Sequence, residues 1–123
     1  MSETVSWLFE VDIKEGQLDN LRALIREMAE RTEANEPDTL NYEWSISEDG
    51  AAGQVYERYV SAEAALAHLA SFNENFADRL MSMADPRRMT IYGSPTAALR
   101  EEVSGIDPTY MQHVGGFARE TGR

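Results

Sequence analysis

Residues 40–60 form the most informative stretch of the sequence and read LNYEWSISEDGAAGQVYERYV. Its first part alternates apolar or aromatic residues with polar ones, the pattern of a half-buried strand. The residues on the apolar side are Leu40, Tyr42, Trp44 and Ile46. The Asp49-Gly50 pair is a hairpin signal, and a second strand is expected over residues 54–60. The stretch therefore predicts an antiparallel hairpin.

The segment before the hairpin predicts a strand and then a helix. Residues Val5 to Ile13 alternate in the same way as the hairpin strands, and Lys14-Glu15-Gly16 ends the pattern. A helical spacing of apolar residues follows. Its members are Leu18, Leu21, Leu24, Ile25, Met28 and Thr32. The helix is expected to end by Glu36, because Pro37 disfavours helical geometry in the residue before it.

The segment after the hairpin predicts a long helix, a strand, a short helix and a tail. Ser61 suits an N-cap, and a single helical stripe is expected as far as the Asp85-Pro86 stop. The stripe consists of Ala65, Leu69, Phe72, Phe76, Leu80 and Met83. A strand is expected over residues 88–92. Ser94-Pro95 then resembles a cap followed by proline and predicts a third helix, with an extended coil from Gly105 onward.

The predicted order is strand, helix, strand, strand, helix, strand. This is the ferredoxin-like βαββαβ arrangement of an α+β protein, with a four-stranded antiparallel sheet. We expect residues 1–93 to form this domain, and residues 94–123 to form a C-terminal helix and an arm packed on the domain or on a dimer mate.

Two helices cover only one face of such a sheet. The other face carries a set of large side chains, namely Leu8, Tyr56, Val60 and Tyr92. A monomer rarely exposes several large side chains together, so a homodimer that buries this face is predicted. Coverage by the C-terminal arm alone is the alternative.

The composition excludes several classes of function. The chain has 123 residues, a net charge of −11 and no cysteine. Such an acidic chain repels nucleic acid and anionic lipid, and no apolar run approaches the length of a membrane span. The acidic N-terminus does not resemble a signal peptide, which makes a cytoplasmic location the expectation. With two histidines and no cysteine, we expect no metal site.

The candidate catalytic residues are His68 and Glu57. His68 lies at the border of the predicted helical stripe, and Glu57 shares the helix-side face of its strand with Val55 and Tyr59. An imidazole near a carboxylate has its tautomer held and its basicity raised, which suits a general base. The alternative is structural: a boundary histidine bound to water or a carbonyl, and a Glu57 salt bridge, for example to an arginine.

The candidate substrate-binding residues are aromatic, with one amide. Aromatic walls with polar tips can hold a flat ligand by stacking and orient it through hydroxyl groups. The set is Tyr42, Trp44, Tyr56 and Tyr59, to which Asn73, beside the helical stripe, adds a hydrogen-bonding group.

Three segments together resemble the antibiotic biosynthesis monooxygenase family of the dimeric α+β barrel superfamily. They are Glu36-Pro37-Asp38-Thr39-Leu40-Asn41-Tyr42-Glu43-Trp44, then Glu57-Arg58-Tyr59, then Ala64 to His68. These are similar to the family elements EPG-T-x-x-Y, E-x-Y and A-x-x-x-H, and the likeness spans residues 5–93. Asp38 stands where the family often has glycine.

The resemblance implies a homodimer with a pocket between sheet and helices in each subunit. It also implies a cofactor-independent monooxygenase or quinol oxidase acting on a small phenolic molecule, with no metal, flavin or haem. His68 would then be the base or oxyanion partner and Glu57 its orienting group. Haem-degrading relatives carry an asparagine and a histidine where this chain has Phe9 and Asp78, which argues against haem degradation.

Other functions on the same scaffold stay open from the sequence. One is a non-catalytic dimer that binds a small ligand, since fold does not imply function. Another is an isomerase or lyase of small polar metabolites.

Overall fold

The computed structural model describes residues 3–119 and forms a sheet with helices on one face. The strands are β1 (Val5–Ile13), β2 (Thr39–Ile46), β3 (Ala52–Tyr59), β4 (Ala84–Gly93) and β5 (Thr109–Met111). The helices are α1 (Leu18–Asn35), α2 (Ala62–Asn75), α3 (Ala77–Met83) and α4 (Ala97–Glu102), and a 3-10 turn spans Ser104–Ile106.

The sheet has the order β2-β3-β1-β4-β5. The first four strands pair antiparallel, as the βαββαβ pattern predicts, but β5 pairs parallel with β4. The expectation of four strands was therefore wrong, and the sheet is mixed. Asp107 adopts the left-handed conformation (φ 57°) before β5 begins. Tyr110 then packs against the core, with the Arg100 guanidinium 4.0 Å from its ring centroid.

The helix-side face of the sheet carries the core, in the phase that the sequence predicts. Four residues of α1 are buried, all from the predicted stripe: Leu21, Leu24, Met28 and Thr32. The buried apolar residues form two clusters. One, around Trp7, contacts α2 and α4, and the other, around Val11, contacts α1 and α3. The chain thus packs two cores side by side on one face.

The predicted long second helix is two helices. α2 ends at Asn75, Phe76 has non-helical angles (φ −133°, ψ −23°), and α3 starts at Ala77. The Asn75 side chain donates to the Ser71 carbonyl at 2.9 Å, a local bond that competes with helix propagation. The break lets α2 pack on one cluster, while Phe76 and Leu80 pack in the other.

The β2 strand contains a bulge at Leu40. Thr39 pairs with Tyr59 and Asn41 with Arg58, so Leu40 has no partner across the ladder. Its side chain is 43% exposed, whereas the alternating pattern placed it with Tyr42 on the buried side. Downstream of the bulge Tyr42, Trp44 and Ile46 keep the predicted phase, because the extra residue precedes them.

The boundaries near β4 differ from the prediction. β4 begins at Ala84 and runs through Asp85-Pro86, where the ladder with β1 is irregular and a proline is tolerated. α4 is capped by Thr96, whose hydroxyl accepts from the Leu99 amide at 3.2 Å, in place of the predicted Ser94 cap. Gly93 has φ 94°, and a Cβ there would lie 2.3 Å from the Thr4 carbonyl oxygen, so the position requires glycine.

The opposite face of the sheet is not covered by any element of residues 3–119. On it Leu8 pairs with Tyr56 across the β1–β3 ladder. Tyr92 is 36% exposed and Met111 is 52% exposed. Within the same residues, no helix has the length and apolar character needed to cross a membrane.

Candidate active site

His68 lies on the buried side of α2. The helix begins after Ser61, whose hydroxyl accepts from the Ala64 amide at 3.2 Å, which confirms the predicted N-cap. From this start Ala62, Ala65 and His68 share the face that packs on the sheet. The His68 side chain is only 6% exposed, and both of its ring nitrogens face carboxylates.

Glu57 is the carboxylate on the sheet side of His68. It is on β3, between Trp7 of β1 and Tyr42 of β2 in the ladder, and it is 6% exposed. Its Oε1 lies 3.2 Å from His68 Nε2 and also accepts a short hydrogen bond from the Tyr59 hydroxyl. The sequence left open a salt bridge to arginine, but the partners of Glu57 are an imidazole and a phenol.

Glu36 is the second carboxylate, and it comes from the turn between α1 and β2. Its Oε1 lies 2.8 Å from His68 Nδ1 and accepts from the Thr39 hydroxyl at 2.9 Å. The backbone fixes this turn as well: the Glu36 amide donates to the Thr32 carbonyl, and the Thr39 amide donates to the Glu36 carbonyl. These hydrogen bonds at the end of α1 hold the Glu36 carboxylate in position to contact His68.

The charges of this cluster shift the pKa values of its members away from their ordinary values. Burial lowers the pKa of His68, but the hydrogen bonds to Glu36 and Glu57 and their negative charge outweigh burial and raise it to about 9. Burial raises the pKa of Glu36, whereas the hydrogen bond and positive charge of His68 outweigh burial and leave it below its ordinary value. Burial and the charge of Glu57 raise the pKa of Tyr59 well above that of a free tyrosine. His68 is therefore an imidazolium near neutral pH.

The cluster borders a cavity of about 250 Å³ that lies between the two cores. Its lining is mostly apolar and aromatic, with Glu57, His68 and Asn73 as the polar residues. The apolar lining includes Trp7, Phe9, Tyr42, Trp44, Phe72 and Met89. An apolar pocket with a few converging polar groups is the usual form of a small-molecule site.

The structure brings some of the predicted site residues together and separates others. His68, Glu57, Tyr42, Trp44 and Asn73 all line the cavity. Tyr59 does not line it, because its hydroxyl is committed to Glu57 inside the core. Tyr56 does not line it either, because it neighbours Glu57 on β3 and so points to the opposite face of the sheet.

Two further features of the site emerge only from the structure. Glu36 was noted in the sequence as part of a turn, and nothing local indicates that a helix end 32 residues before His68 contacts its ring. The Glu36-Pro37 pair, which fixes the end of α1, is the signal that could have suggested it. In addition, Trp44 Nε1 is buried and has no hydrogen-bond partner among residues 3–119.

The described part of the chain holds no group of three or more histidine, aspartate or glutamate side chains placed to bind a metal ion. In the cluster, each ring nitrogen of His68 is paired with a carboxylate, Nδ1 with Glu36 and Nε2 with Glu57.

The fold and cavity define an α+β protein with a buried imidazole–dicarboxylate cluster in a pocket between sheet and helices. A family model described as antibiotic biosynthesis monooxygenase matches residues 4–92. The chain belongs to this family.

Solved structures share the fold. MupZ from Pseudomonas fluorescens superposes with a TM-score of 0.85 and 24% identity, covering 96% of both chains. Rv0793 from Mycobacterium tuberculosis has a TM-score of 0.60 and 24% identity, over 72% of this chain and 89% of its own. SnoaB from Streptomyces nogalater, a cofactor-independent oxygenase, has a TM-score of 0.64 and 12% identity, over 78% of this chain and 97% of its own. No curated protein matches the chain.

Proposed function

We propose that the chain is a cofactor-independent oxygenase that removes a proton from a small phenolic molecule in this cavity and lets the resulting anion react with molecular oxygen. The observation that carries the proposal is the buried Glu36–His68–Glu57 cluster at the wall of an apolar, aromatic cavity. Membership of the family and the fold shared with SnoaB support the reaction class.

The charge of the cluster favours proton uptake. Two carboxylates share one imidazolium, so the cluster carries one negative charge in excess. A proton that Glu57 takes from a neutral phenol neutralises this charge, and the phenolate that forms is stabilised by the positive charge of the nearby His68 ring. Glu57 lines the cavity and is the acceptor that meets the substrate, while His68 and Tyr59 hold its carboxylate in place.

His68 itself is a poor acceptor. Burial lowers its pKa, but the hydrogen bonds and negative charge of Glu36 and Glu57 raise it to about 9, which keeps the ring protonated at pH 7. Its two nitrogens are also occupied by Glu36 and Glu57. We therefore assign the role of base, which the sequence analysis suggested for His68, to Glu57. His68 is the residue that positions the Glu57 carboxylate.

The rest of the reaction needs no group beyond substrate and oxygen. Anthrone is the keto tautomer of a phenol, and removal of a proton from either tautomer gives the same anion. The ring carbon of this anion that lies opposite its oxygen gives electrons to molecular oxygen, and a carbon–oxygen bond forms. One oxygen atom stays as the new ketone, and the other leaves as water with the two hydrogens of the original methylene group. The apolar lining excludes water from the anion.

Oxygen uptake by metal-free protein tests the proposal, with anthrone and a set of hydroquinones as substrates. We expect uptake above the uncatalysed rate, and a loss of about 100-fold or more in Glu57→Gln, the range for a general base. Tyr56→Phe is the matched control on the opposite face and should keep full activity. Absence of uptake with every compound, or full activity in Glu57→Gln, would overturn the proposal.

A second candidate, a non-catalytic ligand-binding protein, is favoured by one observation. Each ring nitrogen of His68 already holds a carboxylate, as expected for a structural ion cluster. In that case the same compounds raise the melting temperature of the protein but consume no oxygen.

We also propose that the working form is a homodimer that buries the uncovered sheet face. Leu8, Tyr56, Tyr92 and Met111 form a partly apolar surface on this face, which no element of residues 3–119 covers. A second copy would bury the same surface on both subunits.

A further inference from the structure

The cavity has a deep end and an entrance, which differ in exposure. Glu57 and His68, at the deep end, are 6% and 5% exposed. Three other lining residues, Asn73, Pro86 and Ile106, are exposed to solvent. The cavity therefore opens between the end of α2, the start of β4 and the 3-10 turn.

One side of this entrance comes from outside the family domain. The family match ends at residue 92, and Val103 and Ile106 line the cavity from the segment that follows. Val103 is 3% exposed and packs in the core, whereas Ile106 is 42% exposed. Ile106 thus borders both the cavity and the solvent.

Several contacts hold this segment in place across the opening. Leu99 of α4 is fully buried against the first core cluster. The Asn73 amide of α2 donates to the Glu102 carboxylate of α4 at 3.4 Å, directly beside the entrance. Beyond the 3-10 turn, β5 is paired to β4. The turn that carries Ile106 is therefore anchored on both sides.

We propose that the segment from α4 to β5 is the entrance wall of the cavity, and that Ile106 is the residue that determines which molecules pass. The passage to the cluster is apolar, with Leu69, Met81 and Met89 along it. A flat molecule enters with its phenolic end first and leaves its far end at Ile106 and the Asn73–Glu102 pair. Bulky or branched far ends are excluded by Ile106. The identity of the molecule rests on the proposed function, whereas the entrance itself rests on the geometry alone.

The two tryptophans of the chain, Trp7 and Trp44, both line the cavity, so their fluorescence reports access to it. Quenching by acrylamide, a small neutral amide, measures that access without any substrate. We expect Ile106→Ala to raise the bimolecular quenching constant about twofold, and Ile106→Phe to lower it by a similar factor. Glu102→Ala, which removes the hydrogen bond to Asn73, should raise it as well.

Val114→Ala is the matched control, because Val114 is an apolar residue of the same C-terminal region that is 94% exposed and does not line the cavity. Trp44 also borders a second pocket, which is lined by Arg22 and Ile46 and lies apart from Ile106. Quenching from that pocket is common to all variants and cancels in the comparison. Equal quenching constants in wild type, Ile106→Ala and Ile106→Phe would overturn the inference. The quenching experiment involves no turnover, so it tests the entrance separately from the reaction. If the quenching constants change as expected but the protein consumes no oxygen, the oxygenase proposal is refuted and the proposed entrance is retained.

Discussion

At the scale of single residues, the site depends on His68 and the two carboxylates that hold it, at 2.8 Å and 3.2 Å. Burial alone would favour a neutral ring, and the paired carboxylates reverse this preference. The sequence could predict that His68 and Glu57 face each other, because helix and strand periodicity place both on inner faces. The contact of Glu36 with His68 was not predicted, because the Glu36-Pro37 pair indicates where α1 ends but not where that end lies relative to α2.

A pH-dependent stability follows from the raised pKa of His68. The folded protein holds the proton more tightly than the unfolded chain, so the stabilisation is complete below pH 6.5 and is lost as the pH rises to about 9. We expect the free energy of unfolding to fall by about 3 kcal/mol across this window. Urea unfolding at a series of pH values measures it.

His68→Gln is the control for this effect, because glutamine keeps hydrogen-bonding groups but does not titrate. Its stability should vary little over the same window. An equal pH dependence in wild type and His68→Gln would show that the ring is not held as an imidazolium.

At the scale of the elements, sequence periodicity predicts most of the strands and helices. It does not predict the features that depend on how the elements pack against each other. The phases of β1 and α1 agree with the prediction, because one face of each is strongly apolar. The break at Phe76 interrupts an apolar stripe that continues on both sides of it, so only its packing against the second core reveals it. β5 has three residues, too few for a pattern, and its position depends on the fit of Tyr110 to the core.

The cap of α4 provides a prediction at this scale. The structure assigns the cap to Thr96, one turn before Leu99. Thr96→Ala removes the hydroxyl that accepts from the Leu99 amide and should cost about 1 kcal/mol in free energy of unfolding. Thr96→Ser keeps the hydroxyl and should cost much less. Equal losses in the two variants, measured by urea unfolding, would contradict the assignment.

At the scale of the whole molecule, the uncovered sheet face is the feature that a single chain does not explain. It carries Tyr56 of β3 and Tyr92 of β4, the two strands that flank β1, while the opposite face holds both cores. The net charge of −11 opposes association of two copies, so salt should strengthen a dimer by screening this repulsion.

Sedimentation at micromolar concentration tests the dimer. We expect wild type to sediment as a dimer and Tyr56→Glu as a monomer, because the new carboxylate would be buried without a partner. Ala23→Glu is the matched control: it adds the same charge at an exposed position of α1. A monomeric wild type at moderate salt, or a dimeric Tyr56→Glu, would contradict burial of this face.

The most direct test of the proposed proton transfer to Glu57 is the absorption spectrum of bound para-nitrophenol, whose ionised form absorbs visible light and whose neutral form does not. It is measured with excess protein, at a pH below the pKa of the compound in water. We expect wild type to bind the compound as the ionised form, and Glu57→Gln to bind it as the neutral phenol. The absence of a visible band from the wild-type complex, or an equally strong band in Glu57→Gln, would contradict proton transfer from the bound phenol to Glu57.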